Sequence, residues 1–155
     1  RFQCHHTGSV IIKVSSQWVL IELNRMRPAL LSKYFPDYQP LPERALPVEF
    51  MKIKMPENFE HEVEFKVRFD DIDINNHVNN AIYPLWASEC VEAEFRLNHC
   101  PQEIEINFKK SAVYGENVVV MTLLDGEESY HSICESDKNT ELSRCRIKWR
   151  QITSE

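Results

Sequence analysis

Three features that mark large classes of protein are missing from this 155-residue sequence. No apolar run approaches the roughly 20 residues that a membrane-spanning helix needs, and the first residues lack the basic-then-apolar pattern of a signal peptide. Positive charge is not in surplus, because 18 Lys and Arg face 24 Asp and Glu for a net charge of −6. Binding to nucleic acid or to anionic membranes draws its affinity from Lys and Arg. The sequence therefore predicts a soluble protein with no membrane span and no nucleic-acid partner, which meets any acidic partner through a local basic patch.

Paired cysteines are also missing. The five cysteines are odd in number and far apart, and no two fall in a CxxC spacing that would indicate a metal or redox site. We therefore expect reduced thiols in a cytosol-like compartment. The run Cys4-His5-His6 is a weak metal candidate, because neighbouring residues on a strand point to opposite faces. The sequence predicts no metal site.

The composition allows one good hydrophobic core. A chain of this length with 43% hydrophobic residues is short for two ordinary domains. The β-branched and aromatic run Ser9–Leu23 predicts a long strand, paired with residues 1–6 across a Thr-Gly turn. Six prolines between Pro28 and Pro56 then predict an irregular connector, where we place a domain boundary.

Beyond the connector the hydrophobic pattern predicts a regular domain. Alternation of apolar and charged residues from His61 to Phe69 predicts a half-buried strand. A helix capped by Asn80 should follow, with a buried stripe at Ile82, Trp86, Cys90, Ala93 and Leu97. Four further strands are predicted between turn sequences, at Glu103–Lys109, Asn117–Leu124, Ser129–Glu135 and Ser143–Ile152. The side chains expected to point inward from them are Ile104, Ile106, Phe108, Cys145, Ile147 and Trp149.

One strand, one long helix and an antiparallel run of strands predict an α+β domain. We expect the antiparallel sheet to wrap around the helix, which is the outline of the hotdog fold.

The segment between the first strand of this domain and the helix is too polar for an ordinary connector. Eight of the eleven residues from Asp70 to Asn80 are Asp, Asn or His. Such groups before a helix N-terminus can activate water, donate to a developing oxyanion and hold a carbonyl in line, as hydrolysis of a thioester requires. They are also the ordinary residues of turns and helix caps, with His77 as a satisfied polar group under the helix. The residue types alone leave both interpretations open.

A family resemblance favours the first interpretation. The run VRFDDIDINNHVNNAIYPLW resembles the active-site segment of the acyl-acyl carrier protein thioesterases of plant plastids and bacteria. Related acyl-CoA thioesterases usually carry Gly directly before the His, whereas the Asp73-x-Asn75-x-His77 spacing of this chain matches the carrier-protein enzymes. Upstream, SSQWVLIELNRMRP resembles the end of the first of two tandem hotdog domains in that family. The resemblance implies the C-terminal strands of a first hotdog domain over 1–27, a Pro-rich linker over 28–59 and a catalytic hotdog domain over 60–155.

The resemblance also implies roles for individual residues. Asp73 would be the general base or the carboxylate that orients water, Asn75 would position water and substrate, and His77 would donate to the thioester carbonyl. Further substrate-positioning residues are implied at Asn79, Asn80 and Ser111. No metal or organic cofactor is implied.

The chain departs from the family pattern after the helix. Where relatives usually place a carboxylate, followed in plant members by a cysteine, this chain has Ser111 and Ala112. A Cys-His route is therefore not available at this position. Glu89 is a candidate for the missing carboxylate, although a Glu on the margin of an amphipathic helix is commonly just solvated.

The last predicted strand carries a cationic ladder on one face, formed by Arg144, Arg146, Lys148 and Arg150. Carrier proteins are acidic, so the ladder, together with Lys109 and Lys110, is a candidate docking surface. The alternative is a solvated outer face that keeps an edge strand from aggregating.

The function implied by these features is hydrolysis of acyl-acyl carrier protein, which releases free fatty acid in fatty acid biosynthesis. The partner is acyl carrier protein with its phosphopantetheine-linked acyl chain. Two alternatives stay open, an acyl-CoA thioesterase on the same fold and a non-catalytic acyl-binding module. Because the chain opens on Arg1 rather than Met, we expect its natural N-terminus upstream. The expected compartment is the bacterial cytoplasm or, if a transit peptide precedes the chain, the plastid stroma. The protein could also form a homodimer.

Overall fold

The computed structural model of the chain describes residues 2–25, 27–39, 45–47 and 49–153. The chain divides into two compact units, Arg1–Met51 and Lys52–Glu155. All the predicted catalytic residues belong to the second unit.

The first unit contains two short hairpins and one helical turn. Its elements are β1 (Phe2–Gln3), β2 (Val10–Ile12), β3 (Ile21–Glu22), β4 (Arg27–Pro28) and α1 (Leu31–Tyr34). Strands β1 and β2 pair antiparallel, which confirms the hairpin predicted across the Thr-Gly turn. The long strand predicted over Ser9–Leu23 is wrong, because only Val10–Ile12 and Ile21–Glu22 are strand. A strand persists where a neighbour takes up its N–H and C=O groups, and residues 13–20 pair with no strand in the described part of the unit.

The second unit is built on one antiparallel sheet. Its strands are β5 (His61–Lys66), β6 (His99–Phe108), β7 (Asn117–Asp125), β8 (Glu128–Glu135) and β9 (Glu141–Gln151). They lie in the order β5-β7-β8-β9-β6, so β5 and β6 form the two edges. The five strands predicted for this domain are confirmed, with ends that differ by a few residues. Their period-two alternation was a sufficient signal because one face of the sheet covers a core.

The helix between β5 and β6 is broken in two, α2 (Ile82–Glu89) and α3 (Ala93–Asn98). The prediction of one long helix with a stripe reaching Leu97 is therefore wrong, since Leu97 is 79% exposed. At Glu92 the backbone is extended, with ψ 139°. The break allows the sequence neighbours Cys90 and Val91 both to be buried. Beyond it, Phe95 instead of Leu97 packs toward the sheet, with its ring centroid 5.7 Å from that of Trp149.

The core lies between the sheet and α2. Cys145, Ile147 and Trp149 point into it, as predicted, and each is at most 2% exposed. The prediction for β6 is only partly right. Ile106 packs against the core, whereas Ile104 and Phe108 are 48% and 44% exposed. An edge strand has a neighbour on one side only, so its inward side chains are not fully covered.

A strap formed by residues 52–60 joins the start of the second unit to its sheet. The Ile53 N–H donates to Asn107 Oδ1 at 2.7 Å, and the Ile53 carbonyl accepts from Arg144 Nη1 at 3.0 Å. At the other end the Glu60 N–H donates to the Thr122 carbonyl at 2.9 Å. The strap therefore begins beside β6 and β9 and ends beside β7, next to the start of β5.

Candidate active site

The polar loop, Arg68–Asn79, leaves the end of β5 and returns to the start of α2. It opens with one 3₁₀ turn over Phe69–Asp71. The carboxylate of Asp71, which is 1% exposed, accepts hydrogen bonds from the Arg68 N–H at 2.8 Å and from Arg68 Nη2 at 2.9 Å. The Asp71 carbonyl accepts from the Asn79 N–H at 2.8 Å. The two ends of the loop are thereby joined at Asp71.

The middle of the polar loop is a tight reversal held by backbone bonds. Ile72 and Val78 form an antiparallel bridge. The Asp73 N–H donates to the His77 carbonyl at 2.8 Å, and the Asn76 N–H donates to the Asp73 carbonyl at 3.0 Å. Asn76 has φ +60°, a left-handed conformation that Asn tolerates better than most residues. The DINNH sequence therefore folds so that positions 73 and 77 face each other.

The three predicted catalytic residues meet at Asp73. Its Oδ1 accepts from the Asn75 N–H at 2.8 Å and from the His77 N–H at 3.4 Å, and its Oδ2 lies 3.5 Å from Asn75 Nδ2. The side chains of Asn75 and His77 are exposed. The three residues are therefore neighbours in one loop, and His77 contacts Asp73 through its backbone.

The same contacts set the protonation state of Asp73. The backbone bond from Asn75 lowers the pKa of its carboxyl most. Partial desolvation opposes this, and the N–H and charge of His77 add to the lowering. A carboxylate of lowered pKa stays ionised at neutral pH but is a weak proton acceptor. Of the two roles predicted for Asp73, orienting water fits this environment better than abstracting its proton.

The chain after β6 lies against the polar loop. The Val78 N–H donates to the Ala112 carbonyl at 2.9 Å, and the Ala112 N–H donates to the buried Tyr83 hydroxyl at 3.0 Å. Ser111, next to Ala112, is exposed. Ser111 therefore lies beside the polar loop, and two residues further along the Val113 N–H donates to the Glu116 carboxylate at 2.9 Å.

Asn79, and not Asn80, organises the start of α2. Asn79 Oδ1 accepts from the Ala81 N–H at 3.0 Å, and the Asn79 carbonyl accepts from the Ile82 N–H at 2.9 Å. The N-cap position is Ala81, without a side-chain cap, so the cap predicted at Asn80 is wrong. Asn80 is exposed.

Glu89, the sequence candidate for the missing carboxylate, lies at the C-terminal end of α2. Its Oε2 accepts from Arg96 Nη1 at 2.9 Å, across the break between the helices. This ion pair fits a role in bracing the break, not in the polar loop at the opposite end of α2.

The cationic ladder alternates with buried side chains of β9, as predicted, but much of its charge is compensated. Arg146 donates to Glu105 and to Glu128, each at 2.9 Å. The bonds from Arg146 and from Tyr130 lower the pKa of Glu128 to about 2. Arg144 donates to Glu141 at 2.7 Å.

The remaining predicted cations differ in their partners. Lys109 pairs with Glu141, and Lys110 pairs with Glu135 at 2.5 Å. Arg150 is exposed, with Nη2 3.5 Å from Cys100 Sγ. Lys148 makes no ion pair with the residues that the structure describes.

Sequence reasoning missed a buried hydrogen-bonded network on the core face of the sheet, which we call the hydroxyl network. It is formed by Thr122, Ser129, His131 and Trp149, with Cys90 bonded to Thr122. His131 is 0% exposed, and its Nδ1 and Nε2 each lie 2.8 Å from a hydroxyl, of Thr122 and of Ser129 respectively. Trp149 Nε1 donates to Ser129 Oγ at 2.9 Å. Burial lowers the pKa of His131 to about 3, so its ring is neutral. Ser129 and His131 lie two residues apart in a predicted strand, on either side of the half-buried Tyr130, and this period-two spacing was the signal that could have found them.

The buried thiols of Cys90 and Cys145 are poor nucleophiles. Burial raises the pKa of Cys90 to about 11 and that of Cys145 to about 12, and the thiolate is the reactive form. Cys90 also lines a cavity of about 180 Å³ together with Thr122, His61 and Glu92. Within the described residues no three or more His, Cys, Asp or Glu side chains converge as a metal site would require. No helix among them is long and apolar enough to cross a membrane.

Comparison with known proteins places this geometry in a family. The model of the acyl-ACP thioesterase C-terminal domain matches residues 54–151. The chain is 26% identical to the Arabidopsis thaliana oleoyl-acyl carrier protein thioesterase 2, chloroplastic, over 96% of this chain and 50% of that protein. The chain thus spans about half the length of this curated relative.

Solved structures show the same fold. The 12:0-ACP thioesterase of Umbellularia californica matches with a TM-score of 0.71 and 17% identity, over 85% of this chain and 53% of that one. An oleoyl thioesterase (putative) of Lactobacillus plantarum matches at 0.66 and 23%, over 86% and 55%. A Thermus thermophilus thioesterase complexed with coenzyme A and Zn matches at 0.54 and 17%, over 63% and 87%. The fold of the second unit is a hotdog, which confirms the α+β prediction.

Proposed function

Because this chain belongs to the acyl-ACP thioesterase family through its C-terminal domain, we propose that it hydrolyses fatty acyl-acyl carrier protein and releases the free fatty acid. The observation that carries the proposal is the convergence of Asn75 and His77 on the ionised carboxylate of Asp73, on a loop that leads into α2. The family and the polar loop together support a thioester as the bond that is cut.

The proposed chemistry uses water and protein side chains. The Asp73 carboxylate orients the attacking water, and Asn75 holds water and substrate through its amide. The exposed ring of His77 donates to the thioester oxygen as negative charge develops there. Asn79, Asn80 and Ser111 line the approach to this group as substrate-positioning residues.

The organisation of the chain is part of the proposal. The relative from Arabidopsis thaliana is twice as long as the matched region, which supports the interpretation of 1–27 as the end of a first hotdog, 28–59 as a linker and 60–155 as the catalytic domain. The substrate is then acyl carrier protein with its phosphopantetheine-linked acyl chain, in fatty acid synthesis.

An acyl-CoA thioesterase is the second candidate, and the likeness to a thioesterase complexed with coenzyme A favours it. The test is hydrolysis of one acyl chain presented to the whole protein on acyl carrier protein and on coenzyme A. We expect a higher kcat/KM on the carrier protein. An equal or higher value on coenzyme A would overturn the choice of substrate. Binding of the acyl carrier protein without turnover, unaffected by Asp73→Ala, would overturn the enzymatic proposal in favour of an acyl-binding module.

A further inference from the structure

The buried carboxylate of Asp71 has no part in the proposed chemistry, yet Asp71 lies where the two ends of the polar loop meet. Its side chain accepts hydrogen bonds from the backbone and guanidinium of Arg68, the first residue of the polar loop. Its carbonyl holds the N–H of Asn79 on the returning arm of the polar loop. Asn79 in turn accepts from Ala81 at the start of α2. Asp71 therefore joins the first and last residues of the polar loop directly, and it is linked to the start of α2 through Asn79.

We infer that Asp71 and Arg68 are positioning residues, which set the distance between Asp73 and His77 by closing the base of the polar loop. The inference rests on the proposed function for its kinetic consequence. Asp73 is two residues beyond Asp71, and His77 is two residues before Asn79, so both catalytic positions are equally close to the closure. A shift of the Asp71–Asn79 contact would therefore move both Asp73 and His77.

The contacts of Asp71 favour a fixed geometry over a flexible one. The Asp71 carboxylate is 1% exposed, whereas the Arg68 side chain is 73% exposed. The buried carboxylate is held by the Arg68 backbone N–H as well as by the guanidinium. Burial by itself would raise the pKa of Asp71, but the bonds from the Arg68 side chain and N–H, with the charge of Arg68, lower it. The charged form is therefore the one that the fold holds. Arg68 offers two N–H donors in a planar fork, a geometry that Lys does not reproduce.

The kinetic test compares two neighbouring aspartates in the whole protein. Asp71→Asn keeps the shape of the side chain and removes its charge, and we expect kcat to fall about 10- to 100-fold with KM within about twofold, as for a small misplacement of reacting groups. Asp70→Asn is the matched control, because Asp70 is the exposed neighbour and loses the same charge. Arg68→Lys should retain more activity than Arg68→Gln. Equal kcat in the Asp71→Asn and Asp70→Asn proteins would overturn the inference.

Hydrogen exchange separates this inference from the proposed function and from simple unfolding. Asp71→Asn should speed exchange at the amides of Asp73 and Asn79 while the amides of β7 and β8 keep their protection. A uniform loss of protection would show a purely structural role and overturn the inference. If the wild-type protein cleaves no thioester, the proposed function fails, and the exchange pattern still decides whether Asp71 sets the loop.

Discussion

The polar loop and the buried hydroxyl network contain the same kinds of group in opposite surroundings. Each places a histidine beside oxygen-bearing side chains. His77 lies exposed on the loop and is held there through its backbone, whereas His131 is 0% exposed and has a hydroxyl at each ring nitrogen. A group takes part in chemistry only if it can reach the substrate and change its hydrogen bonds. The loop meets this condition and the network does not.

This difference in exposure separates a group that contributes to folding stability from one that is available for chemistry. The hydroxyl network joins three neighbouring strands, with Thr122 on β7, Ser129 and His131 on β8, and Trp149 on β9. Buried polar groups must be paired, because an unpaired one retains its full desolvation cost. The hydroxyl network therefore stabilises the fold. The loop leaves the side chain of His77 exposed, as the proposed contact with substrate requires.

Removal of the exposed histidine should have the largest effect. His77→Ala removes the proposed donor to the thioester oxygen, and we expect kcat to fall about 100- to 10,000-fold. The melting temperature should change little, because His77 is exposed. Steady-state kinetics and thermal unfolding measure the two quantities.

His61→Ala is the matched control for this variant, since His61 is another histidine with an exposed side chain, on β5. It should retain full activity. A similar loss in both variants, or a large loss of stability in His77→Ala, would remove the distinction between the two constellations.

Removal of the buried histidine should have the converse effect. His131→Leu leaves the hydroxyls of Thr122 and Ser129 without a bond that they now make, and we expect the free energy of unfolding to fall by about 1–3 kcal/mol. The activity of the protein that remains folded should be unchanged. Denaturant unfolding and kinetics at a temperature well below the transition measure this. A loss of kcat without loss of stability would instead place the network in the chemistry.

The pH dependence of stability follows from the pKa of His131. In the folded chain this pKa is about 3, whereas an unfolded histidine titrates near pH ~6.5. Between these values the unfolded chain binds one more proton, so stability falls as the pH falls, by at most about 1.4 kcal/mol per pH unit. The free energy of unfolding, measured between about pH 6.5 and about pH 4.5, should show this slope in the wild type and a smaller slope in His131→Leu. Equal slopes would contradict the neutral, buried ring.

The features predicted correctly from the sequence are those written in local patterns. Alternation placed β5 to β9, and the dense polar run from Asp70 to Asn80 marked the loop that holds the candidate site. The reversal at Asn76 joins residues only four apart, Asp73 and His77, so its geometry is also a local property.

The features that were missed depend on distant contacts. The break between α2 and α3 buries both Cys90 and Val91 against a sheet formed later in the chain, and helical periodicity does not report such packing. The long strand predicted for the first unit does not form, because a strand needs a neighbouring strand to pair with, and a run of β-forming residues does not supply one. The compensation of Arg146 by Glu105 and Glu128, 41 and 18 residues away, follows from strand order, which the sequence did not establish.

Substitutions in the cationic ladder should have the smallest effects on activity. They test whether pairing within the chain removes a charged side chain from recognition, as it removes His131 from the chemistry. Arg146 has both of its partners within the chain, as His131 has, so Arg146→Gln should change KM for carrier-bound substrate by less than about twofold. Lys148 makes no ion pair with the described residues, so Lys148→Gln should weaken carrier binding more than Arg146→Gln does. Added salt should reduce this difference because it screens exposed charges. KM for the same acyl chain on coenzyme A is the control. A larger loss from Arg146→Gln, confined to the carrier substrate, would show that internal pairing does not remove a group from recognition.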